Sequence, residues 1–174
     1  MRIALLSDVY KPVANGVVTH VALLKKHLEN WGEQVWLFVP GQHESADEPN
    51  IIRIPGIPIA DTGYHLSISL DQHSREMLQM MDIIHVHHPF ISGSFGLFAA
   101  NRYNIPLVFT NHTRYDLYVK QYLPLLPSAL SETALQAYFS LFSQRCAALI
   151  APSRSVAEVM KDWGVQGRIE IIPN

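Results

Sequence analysis

Arg2-Ile3-Ala4-Leu5-Leu6-Ser7-Asp8 is a short apolar run closed by two polar residues, the pattern of a parallel strand covered on both faces. Lys11-Pro12-Val13-Ala14-Asn15-Gly16 follows with turn residues, and Val17, Val21, Leu24, Leu28 and Trp31 then recur at alternating spacings of four and three. That period predicts an amphipathic helix ended by Gly32. A strand that runs through a glycine-bearing loop into a helix presents backbone N–H groups at the helix N-terminus, where an anion such as a diphosphate is stabilised. Gly16 has no Cβ, which allows close backbone approach and positive φ, and Asn15 tolerates a left-handed turn better than other non-glycine residues. The same residues also suit a plain tight turn before a helix. The loop carries neither Gly-x-Gly-x-x-Gly nor Gly-x-x-x-x-Gly-Lys, which argues against a nicotinamide enzyme or an ATPase.

Outward from this unit the pattern repeats. Apolar runs at Val35–Val39, Ile83–Val86, Leu107–Thr110, Ala148–Ala151 and Ile169–Ile172 alternate with helical periods near 71–80, 92–103, 128–145 and 154–163. Strands and helices in alternation predict an α/β fold: a Rossmann-like doubly wound parallel sheet with helices on both faces. The last helix shows capping-box spacing at Ser155 and Glu158, one face of Val156, Val159, Met160 and Trp163, and a terminal Gly164. Residues 49–63 predict a short strand at Ile51–Ile54 and then a surface excursion. Pro173-Asn174 after a strand opens a connection, so residues 1–174 are expected to be the first domain of a longer enzyme.

Composition sets the class. The chain has 174 residues, 48% hydrophobic and 16% charged, enough for a full core and incompatible with disorder. A net charge of −2 supplies no overall field to recruit nucleic acid, and none is expected as a partner. Cys146 stands alone, as suits a reducing compartment, and the N-terminus lacks a signal-peptide core. The expected location is therefore cytoplasmic.

Three segments carry candidate chemistry. Besides the Asn15-Gly16 loop, Asp82-Ile83-Ile84-His85-Val86-His87-His88-Pro89 sets three histidines toward the carboxyl end of a buried strand. His85 and His87 share one side of that strand and with His112 make a conceivable zinc set. No cysteine or His-Glu-x-x-His pattern accompanies them, so hydrogen bonding to polar substrates or to neighbouring loops is the stronger reading, and no metal is expected. The third segment, Thr110-Asn111-His112-Thr113-Arg114-Tyr115-Asp116-Leu117-Tyr118, follows another strand. Strand ends converge on one rim of an open α/β sheet, which predicts that Asp8, Asn15, Gly16, His87, His88 and His112 line a single crevice. There an imidazole can pass a proton or hold a hydroxyl.

Tyr115, Tyr118 and Tyr122, with Leu123, Leu125 and Leu126, suit either a surface that meets lipid or the core. Ser94 has a serine two residues before it where a Gly-x-Ser-x-Gly nucleophile elbow has glycine, Cys146 has no evident base, and Asp61, Asp71 and Asp116 are too scattered for a carboxylate pair.

On these residues the chain resembles, over essentially its whole length, the N-terminal domain of the retaining, GT-B-fold glycosyltransferases of family 4. The resemblance rests on the opening strand with its Pro12–Gly16 loop, Asp82–Pro89, Thr110-x-His112-Thr113, Ala151-Pro152-Ser153 and Ile171-Ile172-Pro173-Asn174. It implies transfer of a hexose from a nucleotide diphosphate sugar to an acceptor, without metal or cofactor, in a cleft between two Rossmann-like domains. By resemblance, Asn15 and Gly16 meet the donor diphosphate, and His112 sits beside the transferred sugar as the catalytic residue. Asp8, His87, His88, Tyr115 and Tyr118 then fall to the acceptor side. The family's basic pair and glutamate-containing donor motif belong to a C-terminal domain outside this sequence, so the chain alone is expected to be inactive. His112-Thr113-Arg114-Tyr115-Asp116-Leu117-Tyr118 is similar to the His-Thr-x-Tyr-x-x-Tyr segment of the branch that glycosylates diacylglycerol. A lipid acceptor and peripheral contact with the inner face of the cell membrane follow from that likeness. Two alternatives stay open: a nucleotide-sugar epimerase of the same two-domain fold, which needs no acceptor, and a non-catalytic domain that binds sugar nucleotide or acceptor.

Overall fold

The computed structural model describes residues 1–43, 47–59, 64–112, 115 and 128–174, which form two compact units, Met1–Phe109 and Thr110–Asn174. In the first unit, β1 (Arg2–Leu6), β2 (Gln34–Pro40), β3 (Ile51–Ile54), β6 (Ile83–Val86) and β7 (Leu107–Thr110) are parallel and lie in the order β3-β2-β1-β6-β7. A small antiparallel hairpin pairs β4 (Ile57–Pro58) with β5 (His65–Leu66). Three helices belong to this unit: α1 (Gly16–Asn30), α2 (Gln72–Gln79) and α3 (Ile91–Tyr103). Counting only the parallel strands in chain order, the sheet runs 3-2-1-4-5, which is the doubly wound Rossmann arrangement. In such a sheet the direction of winding reverses between β1 and β6, and the crevice at the carboxyl ends of those two strands is where ligands bind.

Burial explains why these segments are strands. Ala4, Leu5 and Leu6 of β1 and Leu37, Phe38 and Val39 of β2 are wholly inaccessible, as expected of a sheet covered on both faces. α1 packs Val18 and Val21 into the cluster formed by Ile3, Leu5, Val35, Leu37 and Val39. Its far end departs from the sequence expectation. Trp31 caps the helix and is 77% exposed, while Lys25 is buried and held by Glu29 at 2.7 Å one turn on. The apolar stripe therefore holds through Leu28, which still packs against that cluster, and only Trp31 at the cap stands clear of it. Gly32 does stop the helix, at φ +86°.

α3 has a different basis. It carries small residues, Gly93, Gly96, Ala99 and Ala100, along its buried side. A Cβ added to Gly96 would stand 2.4 Å from Val86 Cγ1, so the glycine is what lets α3 lie directly on β6.

The second unit contains α4 (Ser128–Ser143), β8 (Ala148–Ala151), α5 (Arg154–Asp162) and β9 (Ile169–Ile171), with β8 and β9 parallel. Its core is aromatic: the Phe139 ring lies 4.8 Å from Trp163 and 5.9 Å from Tyr115, centroid to centroid. α5 is capped by Ser153, whose hydroxyl accepts from the Val156 amide, and not through the expected Ser155–Glu158 box. The helix simply begins two residues earlier than the box would place it. Cys146 is partly buried, its thiol pushed up to about 12 by desolvation and directed at the Phe142 carbonyl, as suits a packing residue. Among the described residues no helix is long and apolar enough to cross a membrane.

Candidate functional site

The loop after β1 turns at Lys11-Pro12, a cis peptide bond, and delivers Asn15 to the start of α1. Asn15 does not occupy the left-handed conformation anticipated for it. At φ −152° it is extended, and its side-chain oxygen accepts from the Val18 amide at 2.8 Å, a regular helix N-cap. Its amide group also donates to the Tyr64 hydroxyl at 3.4 Å. Gly16 opens the helix with φ outside the left-handed range, and a Cβ built there would meet nothing within 4 Å. Neither backbone strain nor packing within the protein demands glycine at this position. What the missing side chain leaves is open space directly over the first N–H groups of α1, where the helix dipole favours an anion.

Two cations accompany this loop, and both are engaged. Lys11 pairs with Glu48, which raises the ammonium's pKa. The buried Arg53 guanidinium meets the equally buried Asp47 at 2.7 Å and 3.1 Å and donates to the Lys11 carbonyl at 3.0 Å. This clamp holds the loop against β3.

At the carboxyl ends of β1 and β6, Asp8 and His88 are joined. The Asp8 amide donates to His88 Nδ1 at 3.2 Å, and the Ser7 hydroxyl lies 3.4 Å from the same nitrogen. Because Nδ1 accepts, the neutral ring carries its proton on Nε2. Burial pushes the His88 pKa down, and the Asp8 carboxylate offsets this in part. Asp8 also anchors a helix. Its Oδ1 accepts from the Ser92 amide at 2.7 Å at the start of α3, whose own N-cap position, Phe90, offers no side-chain hydrogen bond. The Ser92 hydroxyl returns a bond to the His88 carbonyl at 3.1 Å. Asp8, His88 and Ser92 thus tie β1, β6 and α3 into one mesh at the switch point.

The His87 ring is wholly inaccessible in this structure and lies 4.3 Å from His85 and 5.6 Å from His20, centroid to centroid. His85 is held neutral, its pKa pushed down to about 3 by desolvation and by His20, and burial also lowers His20. His20 escaped the sequence reading. The signal was its position four residues after Gly16, which puts it on the same helix face one turn along.

In the second unit, His112 is partly buried and follows Asn111, whose amide donates to the Ile150 carbonyl of β8 at 2.9 Å. Tyr115, which the sequence left between an acceptor or lipid surface and the core, is 8% exposed and packed among Phe139 and Trp163, so its ring takes the core position. Tyr118, Tyr122 and the leucines 123, 125 and 126 lie outside the described residues.

Comparison with known proteins agrees with this architecture. The family model for Glycosyltransferase Family 4 matches residues 14–174. The chain is 32% identical to an alpha-monoglucosyldiacylglycerol synthase of Acholeplasma laidlawii, over 100% of its own length and 46% of that protein's. It is 28% identical to the alpha-monoglucosyldiacylglycerol synthase of Streptococcus pneumoniae, over 99% of the chain and 40% of that protein. It thus spans less than half the length of these curated relatives. Among solved structures, an alpha-glucosyltransferase in complex with UDP and a 13-mer DNA aligns with a TM-score of 0.53 at 13% identity, over 98% of this chain and 41% of that one, a likeness of fold.

Proposed function

Because the chain belongs to glycosyltransferase family 4, we propose that it is the acceptor-side domain of a retaining hexosyltransferase that moves a sugar from a nucleotide diphosphate donor to a lipid acceptor such as diacylglycerol. The observation that carries this reading is the 32% identity, over the whole length of the chain, to an alpha-monoglucosyldiacylglycerol synthase. In this proposal the first N–H groups of α1, left uncovered by Gly16, stabilise the departing diphosphate, and His112 serves the transferred sugar and the attacking hydroxyl. Stabilising the charge that develops on the diphosphate is the main catalytic term, and proton transfer is secondary. Asp8 and His88 act by fixing the edge on which the substrates meet. No metal takes part, so chelation leaves the rate unchanged. The donor-binding half of the enzyme comes from a further domain.

The test uses the full-length enzyme with a labelled sugar nucleotide and diacylglycerol in detergent micelles. Glycolipid formation is expected, with kcat lowered at least about 100-fold by His112→Ala. Gly16→Ala is expected to lower kcat/KM about tenfold through the diphosphate, while leaving stability within about 0.5 kcal/mol. Release of an epimerised sugar nucleotide with no acceptor present, or wild-type turnover by both variants, would overturn the assignment.

A further inference from the structure

An open groove of about 450 Å³ lies against β3, the edge strand of the first unit's sheet. Ile51, Ile52 and Pro55 give it aliphatic surface, Gln42, His43, Arg53 and His73 give it polar groups, and none of its lining residues is acidic. The acidic groups of the neighbouring segments are all engaged elsewhere: Asp47 with Arg53, Glu48 with Lys11, and Asp71 in capping α2 through the Ser74 amide. The side chains of Gln42, His43 and His73 make no hydrogen bond or ion pair with the described residues.

Arg53 decides what such a groove can hold. Its side chain is only 9% exposed, and its Nε and Nη2 are fully used, by the Asp47 carboxylate and by the Lys11 carbonyl. Nη1 meets no acceptor among the described residues and remains accessible. It stands beside the bare Cα of Gly41, where an added Cβ would lie 3.4 Å from Nη1 and 3.5 Å from His65 Nδ1. Gly41 has φ +133°, so the backbone itself reserves the position for glycine, and the missing side chain keeps the Nη1 hydrogens open to the groove.

The geometry points to this groove as a binding site for a soluble organic monocarboxylate with an apolar body, held by charge-assisted hydrogen bonds from Arg53 Nη1. The carboxylate supplies the acceptor that Nη1 lacks, and Ile51, Ile52 and Pro55 receive the rest of the molecule, the mixture of apolar wall and few polar anchors usual in small-molecule sites. Asp47 already shares the charge of the guanidinium from its other edge. A singly charged ligand therefore fits better than a dianionic phosphate, which that carboxylate repels more strongly. A neutral amphiphile forgoes the charge-assisted bond. The site stands apart from glycosyl transfer and depends on none of its steps. Its ligand shares a guanidinium with the β1–α1 loop, since the same side chain holds the Lys11 carbonyl.

The test is a titration of the 174-residue chain with hexanoate, followed by amide chemical shifts. Shifts are expected at Gly41, Gln42, His43 and His73, with a Kd of about 1 mM. Hexanol, which lacks the charge, and acetate, which lacks the apolar body, should each bind at least about tenfold more weakly, and inorganic phosphate should do the same. Asp47→Asn with Arg53→Gln replaces the buried ion pair by two amides and should weaken hexanoate at least about tenfold. If thermal melts by circular dichroism show that pair unfolded, Arg53→Lys, which keeps a charge but has no Nη1, should show the same loss. His43→Ala with His73→Ala should cost about threefold, and Arg102→Gln, an exposed cation on α3 outside the groove, should change nothing. Hexanoate binding that ignores the substitutions at 47 and 53 overturns the proposal. So do shifts confined to residues outside the groove, an absence of binding up to about tenfold above the expected Kd, or hexanol or phosphate binding as tightly as hexanoate.

Discussion

At the scale of single residues, the site is defined by imidazoles kept neutral by their surroundings. His85, His88 and His20 all have pKa values pushed below the usual imidazole value by burial, His85 to about 3. In the unfolded chain the same rings take up a proton near pH 6.5. Between that pH and the folded value the unfolded state binds more protons, so stability rises with pH and is lost progressively as pH falls below about 6.5. His85 alone contributes a slope of about 1 kcal/mol per pH unit in that window. Urea midpoints measured from pH 7.5 to pH 5 should therefore fall, and His85→Asn should flatten the dependence while lowering stability at neutral pH. A wild-type midpoint that stays constant over this range would refute the neutral, buried assignment. The sequence exposed the presence of these histidines but not their burial. Asp82–Pro89 announced a strand end rich in imidazole, yet which of its rings are buried depends on packing against other elements, and that packing is what sets His87 out of solvent and brings the His20 ring of α1 to 5.6 Å from it. Asn15 and Ser153 carry the same lesson. Both are polar residues with several local options, and a shift of one or two residues in a helix boundary decides between turn and cap.

At the scale of elements, the parallel strands were legible as short continuous apolar runs and most of their helices as apolar periods, because the two alternate along the chain. The β4–β5 hairpin was not legible, since two-residue strands carry no period and Pro58 weakens any strand reading. α3 lies between these cases. Its position was readable, but its weakly amphipathic sequence did not reveal which side faces the sheet; the small residues do. Close approach of α3 to β6 depends on Gly96, where an added methyl would stand 2.4 Å from Val86 Cγ1, 3.3 Å from Leu107 Cδ1 and 3.4 Å from Ile84 Cγ2. Val86, Leu107 and Ile84 are all buried, so none has room to withdraw. Alanine gains about 1 kcal/mol of helix propensity over glycine, whereas overpacking a filled core costs about 1–3 kcal/mol. Overpacking wins, and Gly96→Ala is expected to destabilise by about 1–2 kcal/mol in urea unfolding. Val86→Ala should recover part of that loss when combined with it, because it removes the methyl groups in the way. A Gly96→Ala protein as stable as wild type would mean that α3 shifts freely, and that the Asp8–Ser92 bond at its start is not fixed by the fold.

At the scale of the whole molecule, the question is how much of a donor this chain holds unaided. A helix N-terminus contributes about 0.3–1 kcal/mol to a nearby anion and up to about 2 kcal/mol in favourable geometry. Millimolar affinity requires about 4 kcal/mol and micromolar affinity about 8 kcal/mol. The cations of the β1–α1 loop cannot make up the difference, because Lys11 is paired with Glu48 and Arg53 with Asp47, and releasing either would leave its acidic partner behind. The net charge of −2 adds no attraction for a diphosphate. Binding a nucleotide sugar tightly therefore calls for groups beyond those in the first unit's loop, and the relatives, more than twice as long as the matched region, have the chain length to supply them. We expect the 174-residue chain titrated with UDP-glucose by calorimetry to show a Kd no tighter than about 1 mM, and incubation with donor and diacylglycerol to yield no glycolipid. A Kd in the micromolar range, or product from the chain alone, would place the donor site within these residues and end the division of labour on which the acceptor-side assignment depends.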